Sequence, residues 1–350
     1  MAPPLPHGYQ STTEYQFDDE QADAIVQTVA YHRRDYGLSA IRYSPREHSS
    51  VQPSLATSFP RDSPVGLGSL DQLPLELLFE ALYLLDLESL FRFRQVNLRS
   101  RHVVDSLKQY QRVVSHGLNL FCALLRTRLA IHISLLDLYS ELCNKTCSIC
   151  GEFAGFISIL AWKRCCFRCL ERSPETQVRT LASVRKHLET TRAELRQLRS
   201  FKSLPGIYTM NESAPKTRVA LVSLHKATLI CGREARKLAD MPWVGFDRGS
   251  KFNFMGACAL PFYDEQTDQV DHGVCCAGCQ LALEKDILPR FDTVSGFAAR
   301  DKVYARDGFL EHFRWCEQAQ LLWESSDGGR AKPPELPNFV RTRGFFKRRN

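Results

Sequence analysis

Apolar residues fall at helical spacing from about Gly68 onward and hardly at all before it. Leu77, Leu78, Ala81, Leu82 and Leu85 stand at i, i+1, i+4, i+5 and i+8, one apolar helix face opened by Leu73-Pro74. Pro74 suits the first helical turn, where a missing N–H costs nothing. Asp86 is a cap for the next helix, with Ser89 on its first turn. Leu87, Leu90, Phe93, Val96, Val103 and Val104 extend the pattern, so 71–107 is expected as three short amphipathic helices. So small a helical unit leaves apolar surface that it cannot bury alone, which is a reason to expect a partner. Further helix is expected from Val113 to Leu142.

The pattern then changes. Residues 143–172 are rich in cysteine, with a strand-like run over 155–160. Ser173-Pro174-Glu175 reads as a helix start, and Leu181, Val184, Leu188, Leu195 and Leu198 give that helix an apolar stripe to about Arg199, before Leu204-Pro205-Gly206 ends it. Short strands and loops follow to about Cys279, and a last helix is expected over about 305–324. The fold class is therefore mainly α with a minor β component. Its parts are a disordered tail (1–66), a three-helix module (67–113), a helical connector (114–142), a metal-stapled α+β region (143–326) and a basic disordered tail (327–350). The first tail holds seven of seventeen prolines and twelve Ser/Thr. Its one interruption is Ile25, Val26 and Val29 at helical spacing, a short transient helix or docking motif within an otherwise solvated tail.

Composition narrows the class. With 44% hydrophobic and 24% charged residues among 350, a sizeable core is available. The net charge is +7, and Arg341, Arg343, Lys347, Arg348 and Arg349 supply five of the positives, which excludes a globally basic, nucleic-acid-coating chain. That basic end reads as a nuclear-import signal or a solubilising tail. Residues 163–202 carry eleven basic and four acidic side chains, a place for an anionic partner or a solvated helix face. MAPPLPHGYQ lacks the features of a signal peptide, and the longest apolar stretch is far below the ~20 residues of a membrane span. The expectation is an intracellular protein, cytoplasmic and/or nuclear, without a membrane partner. Thirteen cysteines fall short of the ~8–10% of disulfide scaffolds, so they are expected reduced or metal-bound.

Cys147-x2-Cys150 and Cys166-x2-Cys169, fifteen residues apart, have the spacing of a four-thiolate zinc site. Gly151 gives the knuckle its backbone freedom. Cys165 competes as a ligand, but only Cys166 keeps the two-residue gap to Cys169. A second set, Cys276-x2-Cys279 with His312-x3-Cys316, makes a three-cysteine, one-histidine site, with His312 and Cys316 expected at i and i+4 of one helix. Cys275, His272 and Cys258 are rivals there, and crossed pairing between the sets stays open. Both sets are full without water, so two structural zinc ions are expected rather than a catalytic one. No histidine lies between Cys150 and Cys165, so the pattern is not a RING finger. No phosphate loop, metalloprotease motif or nucleophile elbow appears, and no catalytic residue is assigned.

The run LPLELLFEALYLLDLESLFRFRQVNLRSRHVV resembles an F-box, the helical module of ubiquitin-ligase receptors. Leu73, Pro74, Glu76, Leu77, Leu78, Leu82, Leu85, Asp86, Leu87, Ser89, Leu90, Arg92, Arg94, Gln95 and Val96 carry the likeness. Ala81 departs from the family's usual Ile, and Ser100 from its frequent Trp. CSICGEFAGFISILAWKRCCFRC, LPGIY, CCAGC and HFRWCEQAQ resemble a group of fungal F-box proteins with a cysteine-bearing C-terminal half. The resemblance implies docking of Leu73, Pro74, Leu77, Leu78, Leu82 and Leu85 on a Skp-type adaptor, and through it a cullin. The function expected is a non-catalytic receptor that presents an unknown protein target. The rival is a zinc-stabilised nucleic-acid-binding regulator, and a third possibility is an F-box protein acting without a cullin.

Overall fold

Short helices, several of them with side-chain caps, are the main element of the computed structural model, which describes residues 8–43, 49, 51–56, 66–209, 214–232, 246–288 and 296–345. Asp86 caps the helix Leu87–Arg94 by accepting from the Ser89 amide at 2.9 Å and the Ser89 hydroxyl at 2.6 Å. Asn97 and Ser100 exchange side-chain and backbone hydrogen bonds at the start of Leu98–Asp105. Ser100, where the family often has Trp, is thus a buried half of a capping box. Ser134 and Asp137 do the same for Leu135–Leu142.

These helices do not form a free-standing module. Leu78, Leu82, Leu87, Leu90 and Val104 share one apolar core with the helices Lys108–His116, Leu118–Thr127 and Leu135–Leu142. The same core takes in Ile157 of β2 (Phe156–Ser158) and Cys258 of β7 (Ala257–Ala259). β2 lies between β3 (Lys163–Cys165) and β7 in an antiparallel sheet, with Ile157 opposite both Arg164 and Cys258. A second three-stranded sheet has the order β4 (Val178–Thr180), β6 (Ala220–Ser223), β5 (Ser200–Lys202), and β8 (Phe262–Asp264) forms a hairpin with β9 (Gln269–Asp271). Arg164 ties these layers together. Only 1% exposed, its guanidinium donates to the carbonyls of Glu141, Ala154, Leu260 and Pro261 at 2.7–3.0 Å. Removing it would take a donor from each of four carbonyls at one junction, of which, among the described residues, Glu141 alone keeps a backbone amide.

Four expectations are corrected. First, residues 8–43 are not a disordered tail. Asp18 and Gln21 form a capping box for Asp19–Val29, whose Ala22, Ile25 and Val29 are buried against Phe309, Phe313 and Trp323. β1 (Ala30–Tyr31) then pairs antiparallel with β10 (Cys275–Cys276). The apolar stripe is short and its partners lie some 280–300 residues downstream, so local composition conceals it. Second, residues 327–345 are not a loose tail either, since Phe339 and Val340 enter the same cluster and Phe339 meets Tyr31 edge to face. Residues 346–350, including Lys347, Arg348 and Arg349, lie outside the described residues.

Third, the helix expected from Ser173 to Arg199 is divided. A single 3-10 turn (Pro174–Thr176) leads into β4, and the helix Leu181–Leu188 stops at Glu189, whose φ is +47°. Thr191 then caps a new helix, Arg192–Gln197, through a box with Glu194. Fourth, the last helix is two, Arg306–Phe313 and Glu317–Glu324, with Cys316 as the N-cap of the second. No Gly or Pro marks that break, so nothing in the local sequence announces it. Among the described residues, no helix is long and apolar enough to cross a membrane.

Candidate adaptor face and metal centres

The helix Leu75–Tyr83 has two faces with different tasks. Leu78 and Leu82, expected at an adaptor, turn inward and are 5% and 3% exposed, so they hold the helix to its own core. Leu85 is half-buried and packs on that core. Leu73, Pro74 and Leu77 face solvent, with Leu77 56% exposed. Pro74 is the N-cap, one residue before the first turn where its spacing put it. Leu70, Leu75, Leu84 and Val96 are also exposed, Leu84 at 85%, and Ala81 lies among the exposed residues. Periodicity did not single out Leu70 and Leu84, which stand outside the helix, or Leu75, its first residue, which shares the face of Leu78 and Leu82 yet is exposed. Exposed leucines in such number on so small a helical unit make an unfilled apolar surface, each worth ~1.5–3 kcal/mol when fully buried.

The first cysteine set is built by a knuckle, a hairpin and a helix start. Cys147 and Cys150 turn around Gly151 (φ +78°), the hairpin β2–β3 follows, and Cys166 is the N-cap of Phe167–Arg172 with Cys169 on its first turn. The Cys169 amide donates to Cys166 Sγ at 3.4 Å. The four sulfurs lie within 4.8 Å of one another, and Cys150 Sγ and Cys166 Sγ are 3.7 Å apart. A disulfide needs about 2.05 Å, whereas a tetrahedron with ~2.3 Å metal–sulfur bonds separates its sulfurs by about 3.8 Å. The hydrogen bond with Cys166 holds the Cys147 thiol well below the ordinary thiol range.

The second set has the same logic at longer range. Cys276 ends β10 as the N-cap of Ala277–Glu284, Cys279 lies in that helix's first turn, and Cys316 caps Glu317–Glu324. His312 sits in the last turn of Arg306–Phe313, its ring stacked on Tyr304 with centroids 4.8 Å apart. His312 and Cys316 therefore converge across a helix break and not along one helix face. Cys276 Sγ is 3.8 Å from Cys316 Sγ, and Cys279 Sγ is 3.3 Å from His312 Nε2. Contacts from Cys276 and Cys316 lower the Cys279 thiol. Three of the eight side chains, those of Cys166, Cys276 and Cys316, thus sit at helix N-caps. Each set can hold a metal ion within its own four residues, and the donors do not cross between sets.

The rival ligands turn elsewhere. Cys165 is 0% exposed in the core of the first lobe, and burial pushes its thiol up. Cys275 faces the opposite side of β10 from Cys276, with its thiol pushed up to about 12 by burial. Cys258 is buried in β7, and His272 packs edge to face on His32.

The amino-terminal segment reaches the second set directly. Tyr9 Oη lies 3.4 Å from Cys279 Sγ, the Glu317 amide donates to the Tyr9 carbonyl at 3.2 Å, and Gln10 bridges to Cys316. No spacing signal connects Tyr9 to that site. The basic stretch 163–202 is broken up: Arg164 is buried, Lys163 pairs with Glu175, and Arg172 with Glu171.

Comparison with known proteins gives one match: residues 70–112 fit the F-box domain family. No curated protein and no solved structure matches the chain.

Proposed function

We propose that this chain is the substrate-recruiting receptor of a Skp–cullin–F-box ubiquitin ligase. An F-box domain generally serves as the adaptor-binding part of such receptors, which are typically non-catalytic subunits, and the match spans 43 of 350 residues. The observation that carries the reading is that the matched residues include the exposed Leu70, Leu73, Pro74, Leu75 and Leu77. These dock the adaptor, while Leu78, Leu82 and Leu85 brace the helix from behind.

Zinc fills both cysteine sets, held by Cys147, Cys150, Cys166 and Cys169 and by Cys276, Cys279, His312 and Cys316. Four donors of this softness within reach of one ion suit zinc, and full protein ligation leaves no open position, so the metal stabilises structure. Binding energies of ~10–16 kcal/mol at such sites set the stability of a small lobe. The zinc-held half presents a protein target, and tethering raises the effective concentration of its lysines near the ubiquitin carrier. Its place of action is the cytoplasm or the nucleus.

Reconstitution tests the reading. Adaptor and cullin are expected to co-purify with the chain in one stoichiometric complex. An adaptor complex that excludes the cullin would instead make this an F-box protein acting outside a ligase.

A further inference from the structure

A cavity of about 400 Å³ lies where the amino-terminal segment meets the first cysteine lobe and the β9–β10 connection. Its rim carries Arg34, Arg42 and Arg343 together with His32, His116 and His272, and no described carboxylate lines it. Arg33, also at this cavity, is committed to Asp35 at 2.6 Å and Asp301 at 3.0 Å. Arg34 and Arg42 have no such partner: neither side chain makes a hydrogen bond or ion pair among the described residues. Partial burial, and after it the charge of Arg34, push the Arg42 pKa down. The wall is apolar, with the Phe156 and Phe167 rings set at 57° to each other. Tyr36 stacks on Phe167 with ring centroids 3.8 Å apart and planes at 8°, and Phe156 and Pro261 continue the surface.

We propose that this cavity binds an anionic group, a phosphate or carboxylate, carried on a small apolar body. The forks of Arg34 and Arg42 hold the oxygens in bidentate fashion, and the wall of Phe156 and Phe167 takes the body. The volume suits a small ligand or a single modified side chain, within the range of about 300–1,000 Å³ for such sites. The proposal is independent of adaptor docking, since none of these residues lies in 70–112. Its two sources are a free small molecule and an anion-bearing aromatic side chain of a bound protein.

The test titrates phenyl phosphate into the full chain, purified with its metal, by calorimetry and thermal shift. Saturable binding that raises the melting temperature is expected, with inorganic phosphate weaker for want of the apolar body. Arg34→Gln/Arg42→Gln is expected to weaken phenyl phosphate at least about tenfold. Both side chains are exposed, so metal content should not change. Arg196→Gln, on an exposed helix face, should bind as the parent does. N-acetyl-phosphotyrosine amide distinguishes the sources: tighter binding than phenyl phosphate points to a protein side chain, and equal or weaker binding to a free molecule. No saturable binding, equal affinity for inorganic phosphate, or full binding by the double variant would overturn the proposal.

Discussion

Ala30 stands opposite Cys276 in an antiparallel pair, which lays the amino-terminal strand along the strand that delivers the first cysteine of the second set. Tyr9, some twenty residues earlier, closes on Cys279 of the same set. The beginning of the chain is therefore part of the scaffold of a site whose ligands begin near residue 276. Arg306 to Asp23 at 2.7 Å and Arg314 to Glu14 at 2.8 Å add exposed ion pairs across the same seam. Pairs so exposed contribute little, so the seam rests on apolar burial.

That dependence is testable at Ile25, which is 0% exposed between the first helix and the second metal lobe. Ile25→Asp buries a charge without a partner and is expected to cost about 3–5 kcal/mol. Chelator challenge should then strip the second metal faster while the first is retained at the parent rate. Equal loss from both sites would show that the amino-terminal segment does not support the second one.

Gly278 sets the closest approach in the same lobe. A Cβ built there falls 2.3 Å from the Ala319 amide nitrogen and 2.7 Å from its Cα, so the helices Ala277–Glu284 and Glu317–Glu324 would be forced apart. Cys279 rides on one of them and Cys316 caps the other. Gly278→Ala is expected to lose the second metal, read as a drop from two ions to one per chain by elemental analysis.

Adjacent cysteines in the first lobe give a sharper contrast. Cys166→Ser removes a ligand and is expected to lose the first metal. Cys165→Ser places a hydroxyl in an apolar core, which costs about 1–3 kcal/mol, and both metals should stay. Were the metal contents of the two variants exchanged, the ligand assignment at this pair would be reversed.

On the adaptor face, Leu77→Asp puts a carboxylate into an apolar contact at a position exposed in the free chain. Adaptor affinity is expected to fall by about 100-fold or more, with folding and zinc content unchanged. Leu82→Ala leaves a cavity in the chain's own core and is expected to show its loss first in melting temperature, about 2–5 kcal/mol. Pull-down and thermal melts on the same preparations separate the two roles.

Much of this was legible in the sequence because the signals are local. The Leu73-Pro74 start, the Asp86 cap and the two-residue cysteine gaps each depend on neighbours a few positions away, and the structure gathers the two cysteine sets as their spacing groups them. What periodicity misread was the direction of a face: the stripe through Leu78 and Leu82 packs inward, Leu77 lies off it, and Leu70, Leu73, Leu75 and Leu84 are exposed at or beyond the ends of the helix. The folded amino terminus was hidden because its helix finds its partner only across nearly the whole chain. The break before Cys316 was hidden because Arg314 and Trp315 carry no helix-stopping chemistry. There the turn is set by the lobe around it.

The most direct test of the central claim is co-expression with a Skp-type adaptor, followed by size-exclusion chromatography and metal analysis of the same peak. A one-to-one complex carrying two zinc ions per chain is the predicted result. A zinc-loaded chain that elutes alone, with the adaptor in a separate peak, would contradict it.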